Sequence, residues 1–116
     1  MAGSYRDLKV WQRSIELSVA IYKLTVEFPR EEIYGLTAQL RRASVSVASN
    51  IAEGYRRTSK GEYKQFLGMA RGSVLELQTQ LVISEKLGFG QLEHIKTVQD
   101  LAEQTGKMLW ALMEKL

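Results

Sequence analysis

Residues 34–57 carry the feature that most constrains how this chain folds. Their apolar side chains recur at spacings of three and four residues, which places them on one side of an α-helix. Alanine and serine occupy much of the remaining surface, so neighbouring helices can approach the backbone closely. The sequence therefore predicts a central helix that is contacted on several sides. Its core side consists of Leu36, Leu40, Ala43, Val47, Ile51 and Gly54.

The composition predicts an all-α protein with a single domain. A chain of 116 residues can bury about two thirds of its unfolded surface in one core. It contains one proline and many good helix formers. It has no cysteine, which excludes disulfides, zinc–thiolate sites and thiol catalysis. The N-terminal segment is charged and the apolar runs are short, so we expect a cytoplasmic protein without a membrane span.

The first helix is predicted over Lys9–Phe28, with Asp7 as its cap. Pro29 ends it, because proline disfavours helical geometry in the residue before it. The apolar residues of this helix cover more than the single arc of about 100° that a surface helix buries. We expect that one chain cannot bury them all. One stripe is Leu8, Trp11, Ile15, Val19, Tyr22 and Val26, and the other is Val10, Leu17, Ile21, Leu24 and Phe28.

Three more helices are predicted. A short charged loop, residues 29–33, leads into the second helix, which covers residues 34–57. The third helix begins with a capping box at Ser59–Glu62 and ends at Gly88, which is free to adopt the left-handed conformation. The fourth covers residues 91–114. Short connections force helices of this length to fold back on their neighbours, which predicts an antiparallel, up-down-up-down four-helix bundle.

Two pairs of residues on the second and third helices predict helix interfaces. Gly68 and Gly72 each cost about 1 kcal/mol of helix propensity relative to alanine. We therefore expect close helix contact there, although a stable helix could simply carry both. Asn50 and Glu53 share one side of the second helix and need partners if they are buried. Glu53 can reach Arg57, or an arginine of another helix or subunit, so we expect this pair to join helices rather than act on a substrate.

The surplus apolar stripe and the small-residue sides of the second and third helices predict a homo-oligomer. A monomer that exposed all of these surfaces would be prone to aggregate. The candidate interface residues are Trp11, Asn50, Glu53, Gly68 and Gly72.

No residue pattern predicts a catalytic or metal site. A di-iron bundle needs a Glu-x-x-His motif on each of two helices, whereas this chain has one histidine, His94, and Gln91 stands three residues before it. The serines of the second helix have no nearby His or Lys to activate a nucleophile. A glycine-rich phosphate loop is absent as well. We expect no enzyme activity, no cofactor and no metal.

Positive charge is concentrated in the middle of the chain. Residues 41–71 hold seven basic and two acidic residues, whereas the rest of the chain holds nine basic and eleven acidic ones. RNA or DNA phosphates could bind here, with Tyr55 and Tyr63 near enough in sequence to stack on bases. Alternatively, the basic residues only solvate the corner between the second and third helices and pair with its acids. The candidate nucleic-acid-binding residues are Arg41, Arg42, Arg56, Arg57, Lys60 and Lys64.

Four strings in the chain are jointly specific: LTxxFP, YGLxxQLRRA, SNIAEG and GSxxELxxQL. With them, residues 7–89 resemble the four-helix bundle proteins encoded by intervening sequences within bacterial 23S rRNA genes, and the fourth helix does so less clearly. The resemblance implies a ring-like homopentamer whose biochemical role is largely unassigned. A related branch comprises accessory proteins of diversity-generating retroelements, in which a basic pentamer is associated with nucleic acid and a reverse transcriptase.

Carried onto this chain, the resemblance implies Arg41, Arg42, Arg56 and Arg57 as basic contact residues, with Lys60 and Lys64 as weaker candidates. Ala48 stands where family members often have a proline, so any kink in the second helix is weaker here. The first hypothesis is a non-catalytic oligomer that binds RNA or DNA without strong sequence preference. The alternative is a structural or adaptor oligomer that binds a partner protein such as a reverse transcriptase.

Overall fold

The computed structural model describes residues 3–116, and four α-helices make up most of that part of the chain. Each helix packs on the next one, and the fourth closes against the first. No strand occurs within the described residues. The all-α, four-helix prediction is therefore confirmed. The helices are α1 (Lys9–Thr25), α2 (Leu36–Tyr55), α3 (Lys60–Leu87) and α4 (Leu92–Glu114), and short 3-10 helices cover Tyr5–Asp7 and Arg30–Tyr34.

Two contacts between α1 and α4 run in opposite directions along the two helices. Near the start of α1, Arg13 Nη1 donates to Gln104 Oε1 of α4 at 2.6 Å. Just after the end of α1, Glu27 Oε2 lies 2.5 Å from His94 Nδ1, which belongs to the first turn of α4. This order is the one expected of helices that fold back through short connections. The up-down-up-down order of all four helices stays a prediction.

The core side of each helix follows the spacing predicted from the sequence. Because residues three and four apart share a helix side, each helix presents one apolar face to the other three. One apolar cluster results, and it runs the length of the bundle. Its fully buried large residues are Leu17, Ile21, Leu40, Val47, Ile51, Leu67, Val74, Leu77, Leu81, Ile95 and Leu109.

The predicted bounds of the first helix need two corrections. It ends at Thr25 rather than Phe28, because the last turn tightens: Phe28 N–H donates to the Thr25 carbonyl three residues back. Asp7 is not the cap. It belongs to the 3-10 helix before α1, where its carboxylate accepts from Ser4 N–H at 3.1 Å.

The segment before α2 is ordered rather than a plain loop. Residues Arg30–Tyr34 form a 3-10 helix, and α2 begins at Leu36 instead of Tyr34. Glu32 Oε1 accepts from Leu36 N–H at 3.0 Å, so an acid just before the helix satisfies one of its free N–H groups. The helix ends at Tyr55, two residues earlier than predicted.

Both predicted ends of the third helix are confirmed. Ser59 Oγ accepts from Glu62 N–H at 3.1 Å, and Gly88 has a φ of 78°. The reciprocal bond of a full capping box, from Ser59 N–H to the Glu62 carboxylate, is not formed in the described residues. The start of α3 is therefore fixed immediately after α2 ends, which brings the two helix termini together.

Candidate nucleic-acid interface and assembly surfaces

The end of α2 and the start of α3 bring four of the six predicted basic residues together. These four, Arg56, Arg57, Lys60 and Lys64, are all exposed and are called the basic corner below. The rings of Tyr55 and Tyr63 meet edge to face behind it, with centroids 6.1 Å apart. Burial, and to a lesser extent the neighbouring Tyr55, raise the pKa of Tyr63. A tyrosine hydroxyl is neutral at neutral pH even with its usual pKa of 10.0, so Tyr63 adds no negative charge to the corner.

Only one residue of the basic corner has an ionic partner within residues 3–116. Arg57 Nη2 donates to Glu53 Oε2 at 2.7 Å, and its guanidinium lies 4.6 Å from the ring centroid of Phe66. Arg56, Lys60 and Lys64 form no ion pair in this part of the chain. The alternative in which neighbouring acids neutralise the basic residues thus applies to Arg57 alone.

The other two predicted basic residues, Arg41 and Arg42, lie elsewhere. They precede Arg56 by about four turns of α2, or roughly 22 Å at 1.5 Å per residue. Arg41 Nε donates to Thr25 Oγ1 at 2.9 Å, and its guanidinium lies over Tyr22 of α1, 4.7 Å from the ring centroid. Arg42 is exposed. The six residues thus form two separate groups and not one patch.

The apolar stripe of α1 that begins at Leu8 remains at the surface over most of its length. Its members Ile15, Val19, Tyr22 and Val26 are between 38 and 76 % exposed. The other stripe, from Val10 to Phe28, is buried in the core. The expectation that one chain cannot bury both stripes is confirmed.

This exposed stripe borders a groove between α1 and α2. Small side chains on α2 keep the groove open, to a volume of about 290 Å³. At one end Trp11 packs edge to face against Tyr5, with ring centroids 5.2 Å apart. The structure therefore joins the surplus stripe to the small-residue side of α2. We call this surface the α1–α2 groove; it is lined by Tyr5, Trp11, Ile15, Ser18, Val45, Ala48, Ser49 and Ala52.

The predicted polar pair of α2 is satisfied within the chain. Asn50 Nδ2 donates to the Ser46 carbonyl at 2.9 Å and to Ser46 Oγ at 3.0 Å. Ser73 of α3 donates to the same Ser46 hydroxyl at 3.0 Å. Asn50 thereby supports a polar contact between α2 and α3. Glu53 is held by Arg57, as described above, so a role for either residue between copies of the chain stays a prediction.

Among the glycines within the four α-helices, the tightest fit against another helix is at Gly54, which the sequence placed on the core side of α2, and not at Gly68 or Gly72. A Cβ on Gly54 would lie 2.7 Å from Phe66 Cβ, whereas the same atom on Gly72 would meet nothing within 4 Å. On Gly68 it would meet only Met113 Cε, at an ordinary 3.8 Å. Close contact at Gly68 and Gly72 within the chain is therefore wrong. Their role at an interface between copies stays a prediction.

A second groove, between α3 and α4, was not predicted. Arg71 of α3 lies over Trp110 of α4, with the guanidinium carbon 4.9 Å from the ring centroid. The groove has a volume of about 350 Å³ and is also lined by Leu75, Gly106 and Lys107. The partners Arg71 and Trp110 are 39 residues apart, and no local pattern links them. We call this surface the α3–α4 groove.

His94, the one histidine, lies in the first turn of α4. The end of α3 that leads into this turn is the end opposite the basic corner. His94 contacts Glu27 Oε2, while Glu27 Oε1 accepts from Gln91 N–H at 2.9 Å. The pKa of Glu27 lies below its usual value, chiefly because the Gln91 N–H donates to its carboxylate and also because His94 is in contact with it. Burial acts in the opposite direction and is outweighed. Glu27 thus fastens the start of α4 to the end of α1.

Residues 3–116 contain no cluster of three or more metal-ligating side chains, and none of the helices described here is long and apolar enough to cross a membrane.

Comparisons with known proteins identify the family. The family model described as 23S rRNA-intervening sequence protein matches residues 6–111. The crystal structure of a protein of unknown function from the S23 ribosomal protein family of Bacteroides thetaiotaomicron shares the fold, with a TM-score of 0.81. That match covers 90 % of this chain and 97 % of the other at 20 % identity. A search of curated proteins finds no match. Because the family model spans most of the sequence, this chain belongs to the 23S rRNA-intervening sequence protein family.

Proposed function

We propose that the protein is a non-catalytic homo-oligomer that binds RNA or DNA through the basic corner. One observation carries the proposal: Arg56, Lys60 and Lys64 are exposed together and have no ion pair within residues 3–116. Cations in this state can contact phosphates and release the counterions that surround a nucleic acid. Such contacts position the backbone but do not read bases, so binding has little sequence preference.

The exposed stripe of α1 supports the oligomer. Large apolar side chains contiguous with a groove are typical of a protein interface, and a second copy of the chain is the occupant that the resemblance to ring-forming proteins implies. A ring requires two different faces on each copy, because one face packs on another face of the next copy. The α1–α2 groove supplies one face. The outer side of α3, where Met69, Gly72 and Ile83 recur at helical spacing and both large side chains are half exposed, supplies the other.

Assembly strengthens the nucleic-acid proposal, since every copy adds a basic corner. Corners held at fixed spacing bind one strand at an effective concentration set by the ring, so the avidity exceeds the affinity of a single corner. In the homopentamer that the resemblance implies, five corners act together.

The test is a titration of fluorescently labelled oligonucleotides with the full chain, followed by anisotropy at salt concentrations between about 50 and 200 mM. We expect log K to fall linearly with log salt. A triple variant, Arg56→Ala with Lys60→Ala and Lys64→Ala, loses three phosphate contacts. On a single strand it should therefore have a slope shallower by about 2, because each contact contributes roughly 0.7.

The matched control removes three positive charges at a distance from the corner, in the variant Lys23→Ala with Arg30→Ala and Lys86→Ala. All three residues are exposed and form no ion pair within residues 3–116. The proposal expects the control to keep the wild-type slope. An equally shallow slope of log K against log salt in both variants would mean that the net charge of the protein, and not the basic corner, determines binding. Absence of binding even at low salt would overturn the proposal. It would favour the alternative, an oligomeric adaptor for a partner protein such as a reverse transcriptase, with the basic residues serving that contact.

A further inference from the structure

A line of positive charge connects the basic corner to the α3–α4 groove. Lys60, Lys64 and Arg71 follow one another at spacings of four and seven residues, so they lie on one side of α3 over roughly 16 Å. Lys64 lines a small cavity beside Trp110, and Trp110 also lines the α3–α4 groove. The two cavities therefore meet at the indole of Trp110, at the far end of the line of charge.

The indole is placed to accept a planar ligand. Trp110 is 49 % exposed although it is the largest side chain of the groove. The Arg71 guanidinium holds it by a cation–π contact, and a guanidinium stacked in this way still presents its N–H groups sideways, where a phosphate can accept from them. Arg71 forms no ion pair in the described part of the chain.

Acidic residues offset this charge only in part. Glu103 lies 3.7 Å from Lys107, and both side chains are largely exposed, so the pair is weak. Glu114 lines the small cavity with Lys64 but forms no ion pair within residues 3–116. Lys60, Lys64 and Arg71 thus retain their charge along the approach to the indole.

We infer that the α3–α4 groove is a base-stacking subsite for single-stranded nucleic acid, in which a nucleobase stacks on Trp110 and the flanking phosphates contact Lys64 and Arg71. The inference rests on the proposed function and adds the class of nucleic acid. A duplex keeps its bases stacked on one another, whereas an unpaired strand offers their faces to an aromatic side chain. RNA and DNA both offer such faces.

The chain contains two tryptophans, Trp11 and Trp110, which makes the inference accessible to fluorescence. We would titrate the wild type, Trp110→Phe and Trp11→Phe with twelve-nucleotide oligo(U) and oligo(dT), recording tryptophan emission and the anisotropy of a label on the strand. Stacking should quench emission in the wild type and in Trp11→Phe, in parallel with the anisotropy rise. Trp110→Phe, which retains only Trp11, should show no quenching by either strand.

A second variant, Trp110→Leu, keeps an apolar side chain but loses the stacking surface. We expect its affinity for both single strands to fall about 5- to 150-fold, which corresponds to the usual contribution of one stacked base. Its affinity for a twelve-base-pair duplex should equal that of the wild type.

The outcomes separate this inference from the proposed function. Salt-dependent binding with unchanged Trp110 emission, or with wild-type affinity in Trp110→Leu, would overturn the stacking subsite and leave the basic corner in place. Trp110 emission could instead change with protein concentration and stay unchanged when the strand is added. This result would show that another copy of the chain covers the groove, and it would also overturn the inference. Absence of any anisotropy change would overturn the proposed function itself.

Discussion

Gly54 of α2 faces Phe66 of α3 so closely that no side chain fits between them. A Cβ built on Gly54 would lie 2.7 Å from Phe66 Cβ and 3.1 Å from Cδ1 of Tyr63. The backbone fixes the position of a Cβ, so rotation of the side chain cannot relieve this contact. Glycine therefore sets how closely α2 approaches α3 beside the basic corner.

We predict that Gly54→Ala destabilises the fold. The added methyl group forces the two helices apart, and overpacking of this kind costs about 1–3 kcal/mol, more than the gain of about 1 kcal/mol in helix propensity. Gly61→Ala is the matched control, because its Cβ would meet no atom within 4 Å and Gly61, in the first turn of α3, lies on neither proposed assembly face. It should be neutral or stabilising. Urea denaturation at one protein concentration compares the two variants, and a Gly54→Ala protein as stable as Gly61→Ala would contradict the close contact.

The neighbours Arg41 and Arg42 should differ in their tolerance of lysine. Arg41→Lys loses the stack over Tyr22 and the bond from Nε to Thr25, which an ammonium group does not reproduce. We expect a loss of about 1 kcal/mol in the free energy of unfolding. Arg42 is exposed and has no ion pair within residues 3–116, so Arg42→Lys should lie within about 0.5 kcal/mol of the wild type. Equal effects in thermal denaturation would argue against a structural role for Arg41.

The link between α1 and α4 should weaken in acid. The pKa of Glu27 is lowered in the folded chain from a usual value of 4.5, so its carboxylate stabilises the fold above that pH and loses this effect as pH falls through the lowered pKa. Glu27→Gln should therefore reduce the free energy of unfolding by about 1 kcal/mol at pH 6. The difference from the wild type should shrink toward pH 3.

Glu31→Gln serves as the control for this pH series. Glu31 is exposed and forms no ion pair in the described residues, so the substitution should leave the pH dependence of stability close to that of the wild type. A gap between Glu27→Gln and wild type that stays constant from pH 6 to pH 3 would refute the role of the Glu27 carboxylate.

A charge on the exposed stripe of α1 should block assembly without unfolding the chain. Val19 is half exposed in the middle of the stripe, so Val19→Lys has room for its side chain in one copy but places a charge in any apolar interface. We expect smaller particles with unchanged helix content by circular dichroism. Thr97→Lys, on an exposed position of α4, should assemble like the wild type. If Val19→Lys assembles normally, the interface lies elsewhere.

Local signals in the sequence explain what could be predicted. The Ser59 cap depends only on Glu62, three residues later, and the left-handed Gly88 bonds only to carbonyls three and four residues earlier. The start and the end of α3 therefore follow from local sequence. The two stripes of α1 follow from helical periodicity. Asp7 failed as a cap because Ser4, three residues earlier, binds it in a separate 3-10 helix.

Contacts between distant residues explain what was missed. The importance of Gly54 depends on Phe66, twelve residues later, and on the angle between two helices. The stack of Arg71 on Trp110 joins α3 to α4 across 39 residues. The basic residues looked continuous in sequence, but α2 separates Arg41 from the corner by about 22 Å, since a helix spreads its residues along its axis at 1.5 Å each.

The mass of the native particle tests the central claim most directly. The claim is that one copy leaves the α1 stripe exposed and that copies of the chain cover it, so that several basic corners act together. Light scattering on a sizing column at micromolar concentration should give a discrete multiple of the 13.2 kDa chain, with five copies expected from the resemblance. A single species of 13.2 kDa would contradict the account.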